Sequence, residues 1–158
     1  MLIVNIILVV ALLGFVGAGY KDGLIHSLGR VIGAVLAFLA AKSWSLFALP
    51  YVAWVVPAAW SKAAAFIIVF LVVHQLIGFV FRLIDGVFQI LSALPGISYI
   101  DKILGGALGL VEGVVMIGGA TYLILTFNIE PHLVTWVQSS IVAEQTKHVF
   151  LLVLGFLV

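Results

Sequence analysis

Two ionisable side chains stand inside apolar runs of this chain, where a charge is costly. His74 lies near the middle of one run and Glu112 lies inside another. An ionised group at the centre of a bilayer costs at least about 2.5 kcal/mol, so such residues generally face a bundle interior and often mark an ion or proton route. If the two runs are neighbouring antiparallel helices, His74 and Glu112 can touch near mid-membrane.

Such a pair has two interpretations. In the first, His74 and Glu112 form a proton-responsive pair that changes state with pH. In the second, a protonated Glu112 is hydrogen-bonded to His74 or to a backbone carbonyl, and the pair joins two helices. The second interpretation is favoured.

Other charged residues near these runs suit structural roles. Arg82 and Asp85 follow His74 on the same face of the predicted helix, and their spacing predicts a surface ion pair. Asp101 precedes the next apolar run, where we expect it to cap the helix rather than to bind an ion.

Small residues recur at every fourth position in two of the apolar runs. This spacing leaves a flat strip on a helix, along which another backbone can approach closely. Glycine offers no chemistry of its own, so these strips are assigned to helix packing. The two sets are Gly29, Gly33, Ala37 and Ala41 in one run, and Gly105, Gly109 and Gly113 in another.

The composition places these runs in a membrane. Of 158 residues, 65% are hydrophobic and 8% are charged, and the mean hydropathy is +1.39. In a soluble domain roughly a quarter of the residues are charged. Several runs approach the roughly 20 residues that cross a bilayer. We therefore predict an all-α integral membrane protein with the whole chain, 1–158, in one domain surrounded by lipid. The net charge of +1 gives no reason to expect nucleic acid as a partner.

Four transmembrane helices are predicted, at about 2–19, 24–41, 63–81 and 102–126. Residues 44–60 contain Pro50, Pro57 and several aromatic side chains, which favour an interfacial or re-entrant segment over a complete span. Segments 84–94 and 132–158 are also predicted to lie at the interface. A fifth span beginning near Ile141 is the alternative for the tail, although Glu144 and Lys147 make it costly to insert.

No pattern in the chain indicates an enzyme, a cofactor or a metal site. Ser27 beside His26 is a pair of sequence neighbours without an orienting carboxylate. The chain has no cysteine, and no close His or carboxylate spacing accompanies His132 or His148. We expect a protein without catalytic activity.

Two motifs resemble those of the colicin V production protein (CvpA) family, a group of small bacterial inner-membrane proteins. The first is the turn Gly19-Tyr20-Lys21-Asp22-Gly23, which follows Asn5 and an apolar run. The second begins at Asp101-Lys102 and continues through Gly105, Gly109 and Gly113. The chain departs from the family pattern at Asn5, where aspartate is usual, and at Glu112, where a basic residue is common.

The resemblance implies a multi-pass protein of the bacterial inner membrane, linked to colicin V production or export and to envelope integrity. One function class is a scaffold or accessory protein that binds other membrane proteins or a second copy. The alternative is an oligomeric small channel or a proton-responsive transporter subunit with its pathway beside His74 and Glu112. The scaffold is favoured, because four helices are too few to enclose a polar route.

Overall fold

The computed structural model describes residues 2–88 and 97–157, and these form helices joined by short turns, without any strand. The helices are α1 (Leu2–Asp22), α2 (Leu24–Ala53), α3 (Ala58–Phe88), α4 (Ile97–Phe127), α5 (Pro131–Gln138) and α6 (Ile141–Leu157). Helices α1 to α4 are long and apolar enough to cross a membrane. The predicted all-α integral membrane fold with four such helices is therefore confirmed.

Helices α2 and α4 lie side by side at the centre of the bundle and run in the same direction. Helix α1 packs antiparallel on α4, since Gly19 lies against Gly105 while Phe15 lies against Gly113. Helix α3 packs on α2 and scarcely contacts α4, and α6 packs on α4. The two central helices thus separate α3 from α1.

Helix α2 is longer than the sequence predicted. It continues through Pro50 to Ala53, and the chain turns only at residues 54–57 before α3 begins. The expected interruption at Pro50 is wrong: α2 tolerates the loss of the one hydrogen bond that proline cannot donate and continues for three more residues. Residues 44–53 extend α2 and residues 58–60 begin α3, so 44–60 is not a separate element.

The remaining boundaries also differ from the predicted ones. Helix α3 continues to Phe88, so the predicted segment 84–94 begins as part of α3, and residues 89–94 lie outside the described part. Helix α4 begins at Ile97 rather than at 102. The tail forms two helices, and α6 packs along α4 with Phe150 only 2% exposed.

An aromatic cluster holds the centre of the bundle together. The Phe38 ring of α2 contacts Phe66 of α3 and Phe150 of α6 edge-to-face, with ring centroids 5.1 Å and 4.7 Å apart. Tyr122 of α4 completes the cluster at 5.9 Å from Phe38. Edge-to-face pairs add about 0.5–1.5 kcal/mol each beyond their buried area. Phe150 thereby fixes α6 to the same core as the long helices.

Candidate functional site

The turn between α1 and α2 is closed by a carboxylate from a distant helix. The backbone N–H of Leu24 donates a hydrogen bond to Asp101 Oδ1 over 3.0 Å. Gly23, just before it, has a backbone φ of 84°. Residues other than glycine rarely adopt this left-handed conformation. A Cβ added at Gly23 would also collide with the Asp101 carboxylate. Glycine is therefore required at position 23 for two reasons.

Asp101 therefore caps α2. The sequence had predicted that it would cap α4 instead. It lies in the second turn of α4, which begins at Ile97, so the start of its own helix is out of reach. The first N–H groups of α2 have no partner within that helix. A negative charge beside this N-terminus is favourable because of the helix dipole.

Removing the Asp101 carboxylate should release the start of α2. We expect Asp101→Ala to lower the free energy of unfolding by about 0.5–2 kcal/mol, the usual cost of losing such a cap. Asp101→Asn keeps an acceptor oxygen and should lose less. Denaturant unfolding in detergent micelles measures both values. Equal stability of wild type and Asp101→Ala would contradict the capping role.

Helices α1 and α4 meet through their glycines. Gly19, Gly105 and Gly109 bring the two backbones together, so that a Cβ at Gly19 would lie 2.9 Å from the Gly109 Cα and still closer to the Gly105 carbonyl oxygen. Gly113 lies against the Phe15 ring and Leu12. The strip of Gly105, Gly109 and Gly113 is thus occupied within one chain.

The two motifs of the sequence meet at this corner of the bundle. Three contacts join them: Gly19 lies against Gly105, Gly105 lies against Gly23, and Gly23 lies against Asp101. The side chains of the other motif residues, Tyr20, Lys21 and Lys102, are exposed. Ser27, completely buried beside them, donates a hydrogen bond to the Gly19 carbonyl over 3.3 Å.

The second strip of small residues faces the neighbouring helices of α2. Gly29 lies against the Phe81 ring, and Gly33 lies against His74 and Ile77 of α3. Ala37 and Ala41 are fully buried. Because α3 has little contact with the other helices, its attachment to the bundle is mostly to α2, and this strip is part of that contact.

A charged network spans three helices in the interior. Glu112 of α4 is 4% exposed, and its Oε2 lies 3.0 Å from Nε of Arg30 on α2. Arg30 Nη1 also donates a hydrogen bond of 2.7 Å to Asp22 Oδ2 at the end of α1. The Arg30–Glu112 contact is an ion pair in which Nε–H does not point along the line to the oxygen. Arg30 therefore joins α1, α2 and α4 by charge.

The expected contact between His74 and Glu112 does not form. Glu112 is paired with Arg30, while the His74 ring stacks on Phe70 with centroids 5.6 Å apart. In the described part of the chain, the buried Nδ1 of His74 has no hydrogen-bond partner. The prediction fails because it placed α3 beside α4, whereas α3 packs on α2. The side chain of Asp85, the expected partner of Arg82, lies outside the described residues.

Sequence reasoning missed two residues that hold the bundle together. The first is Arg30, whose signal was a basic residue inside an apolar run, opposite in charge to Glu112 in another run. The second is Asn5, whose Oδ1 accepts hydrogen bonds from Ser140 Oγ over 2.7 Å and from the Val142 N–H over 3.3 Å. It caps α6 from α1. An aspartate would offer the same acceptor oxygen, so the departure at Asn5 leaves this cap intact.

Comparison with known proteins identifies the family of this chain. No curated protein and no solved structure matches it. The family model described as Colicin V production protein matches residues 4–150, which include both motifs, the Arg30–Glu112 ion pair and most of α6. With nearly all of its length matched, the chain belongs to the colicin V production protein family.

Proposed function

We propose that the chain is a scaffold or accessory protein of the bacterial inner membrane that acts without catalysis in colicin V production or export and in envelope integrity. Membership of the family supports the link to colicin V production. The four long apolar helices support a multi-pass arrangement.

The observation that carries the proposal is that the interior is used for holding helices together. Backbones meet at Gly19 and Gly109, and the charges of Arg30 and Glu112 neutralise one another between helices. The cavity of about 260 Å³ between α2, α3, α4 and α6 has an almost wholly apolar lining. A polar solute crossing a membrane needs polar groups along its route. This interior suits a rigid scaffold that presents its outer helical faces to other molecules.

A small channel or proton-responsive transporter subunit is the second candidate. It is favoured by buried Glu112 and half-buried His74 in the long helices, and by the missing partner of the buried His74 Nδ1 among the described residues. Buried ionisable groups of this kind often belong to proton routes. In this role the carboxylate of Glu112 would be indispensable.

Release of active colicin V from a producing strain that lacks its own family member tests the proposal. The wild-type chain is expected to restore release, measured as killing of a sensitive indicator strain. The double variant Arg30→Met/Glu112→Leu should restore it equally, because a well-packed apolar pair can replace a structural ion pair. Membrane levels of both proteins serve as the control.

Each role predicts a different result. Failure of the wild-type chain to restore release would contradict the proposed function. Loss of release in the double variant at normal membrane levels would favour the transporter role. Reconstituted liposomes then provide a direct check, since a scaffold should pass no more protons than protein-free liposomes do.

A further inference from the structure

The outer surface of α3 carries a regular stripe of residues. Its members, which we name the outer stripe, alternate by four and three positions: Ala64, Ile68, Leu71, Gln75, Gly78 and Arg82. This spacing keeps all six residues on one face of the helix. Ile68 and Leu71 are 46% and 50% exposed, whereas Phe66 and Phe81 of α3 face the bundle. The stripe therefore lies on the exposed half of α3, and Leu71 is at its edge, where it also borders the apolar cavity between α2, α3, α4 and α6.

Gln75 is the residue of the outer stripe that lipid alone does not suit. The membrane-crossing part of α3 is Trp60–Ile84, and Gln75 lies about 5 Å from its midpoint at 1.5 Å per residue. Its side chain is exposed, and no hydrogen bond joins its amide to any other side chain that the structure describes. Hydrocarbon offers no donor or acceptor to such a group, which makes it expensive to leave there.

We infer that the outer stripe of α3 binds the same stripe of a second copy of this chain, with the two Gln75 amides hydrogen-bonded across a twofold axis. A carboxamide has both donors and an acceptor, so it is complementary to itself. Twofold assembly brings the same patch of each copy together. With both copies inserted in the same orientation, the two α3 helices run parallel and the two Gln75 residues lie at the same depth.

The residues around Gln75 are compatible with this contact. A Cβ added at Gly78 would meet nothing within 4 Å, so the surface one turn from Gln75 is open to a close neighbour. Arg82 is about 10 Å further along the helix and two residues from the end of the membrane-crossing part. Its long side chain reaches the headgroup level and keeps the two like charges hydrated.

This inference deepens the proposed function, because it names a partner for one face of the scaffold. Cysteine crosslinking in native membranes tests it, and the chain has no cysteine of its own. Ile68→Cys and Leu71→Cys lie within about 40° of Gln75 around the helix. Leu76→Cys is the control, since it has the same depth and 61% exposure but lies about 100° away.

Oxidation is expected to give disulfide-linked dimers at positions 68 and 71 and few at position 76. Adding Gln75→Leu should lower the dimer yield by about tenfold, the effect of one interhelical hydrogen-bond pair, while Gln75→Asn should keep most of it. Both substitutions face away from the bundle and leave its packing unchanged, which membrane levels of the protein will verify.

Equal crosslinking at positions 68, 71 and 76, no crosslinking at 68 and 71, or yields that Gln75→Leu does not alter would each overturn the inference. None of these results depends on toxin release by the wild-type chain. Conversely, a wild-type chain that forms the Gln75-dependent dimer but fails to restore release would overturn the proposed function and leave the dimer standing.

Discussion

Glu112→Leu is expected to lower the free energy of unfolding by about 3–5 kcal/mol, the usual cost of removing one partner of a buried ion pair. The substitution leaves the Arg30 guanidinium, whose side chain is only 19% exposed, without its interior counter-charge. Asp22 stays in contact with Arg30 over 2.7 Å, but that carboxylate is more exposed and more strongly screened by water. Arg30→Met should destabilise the protein as well, since it leaves Glu112 buried without its partner.

The double variant Arg30→Met/Glu112→Leu should recover most of this loss, because apolar side chains of similar volume often replace a buried ion pair at little cost. Unfolding in mixed detergent micelles, followed by tryptophan fluorescence, measures all four proteins. The free energy of unfolding lost in the two single variants together should therefore exceed that lost in the double variant. Losses that simply add would mean that Arg30 and Glu112 stabilise the bundle independently.

Gly19→Ala is expected to destabilise the protein by about 2–3 kcal/mol, in the upper part of the range for overpacking. The new methyl group would meet backbone atoms of Gly105 and Gly109, and backbone cannot rotate aside as a side chain can. Helix α1 must then move away from α4. The contacts that Phe15 and Leu12 of α1 make with Gly113 of α4 would be weakened by the same displacement.

Gly17→Ala is the matched control on the same helix. A Cβ at Gly17 meets nothing within 4 Å, and alanine forms helix more readily than glycine by about 1 kcal/mol. The control should therefore be as stable as the wild type or slightly more so in the same micelle assay. If Gly17→Ala and Gly19→Ala behaved alike, the close contact between α1 and α4 would not be what makes glycine necessary.

Hydropathy was sufficient to predict the long helices, since each contains an apolar run of membrane-crossing length. It was less informative about their ends. Pro50 looked like an interruption because proline cannot donate a hydrogen bond, but its cost depends on how near the helix end lies, and Ala53 ends α2 only three residues later. An interfacial tail is what the sequence predicts for α6, because its final apolar stretch is too short to span alone and Glu144 and Lys147 are costly to insert, whereas its packing on α4 depends on Phe150.

The order of the helices in space limited the prediction of the site. Glu112 was correctly singled out as a buried charge, but its partner Arg30 is on α2, and the sequence placed α3 beside α4 instead. Asp101 was expected to cap α4, but it caps α2, because the N–H from which it accepts a hydrogen bond is 77 positions away in the chain. Capping patterns can be read along the sequence only when both partners belong to neighbouring residues.

The caps provided by Asp101 and Asn5 have a consequence for biogenesis. Leu24 at the start of α2 is made 77 residues before Asp101, so the start of α2 must be hydrated or held by the insertion machinery until α4 arrives. The Asn5–Ser140 hydrogen bond joins residues 135 positions apart, and the first transmembrane helix therefore waits for the last helix to be made. Closure of the bundle is a late event, completed only after α6 has been made.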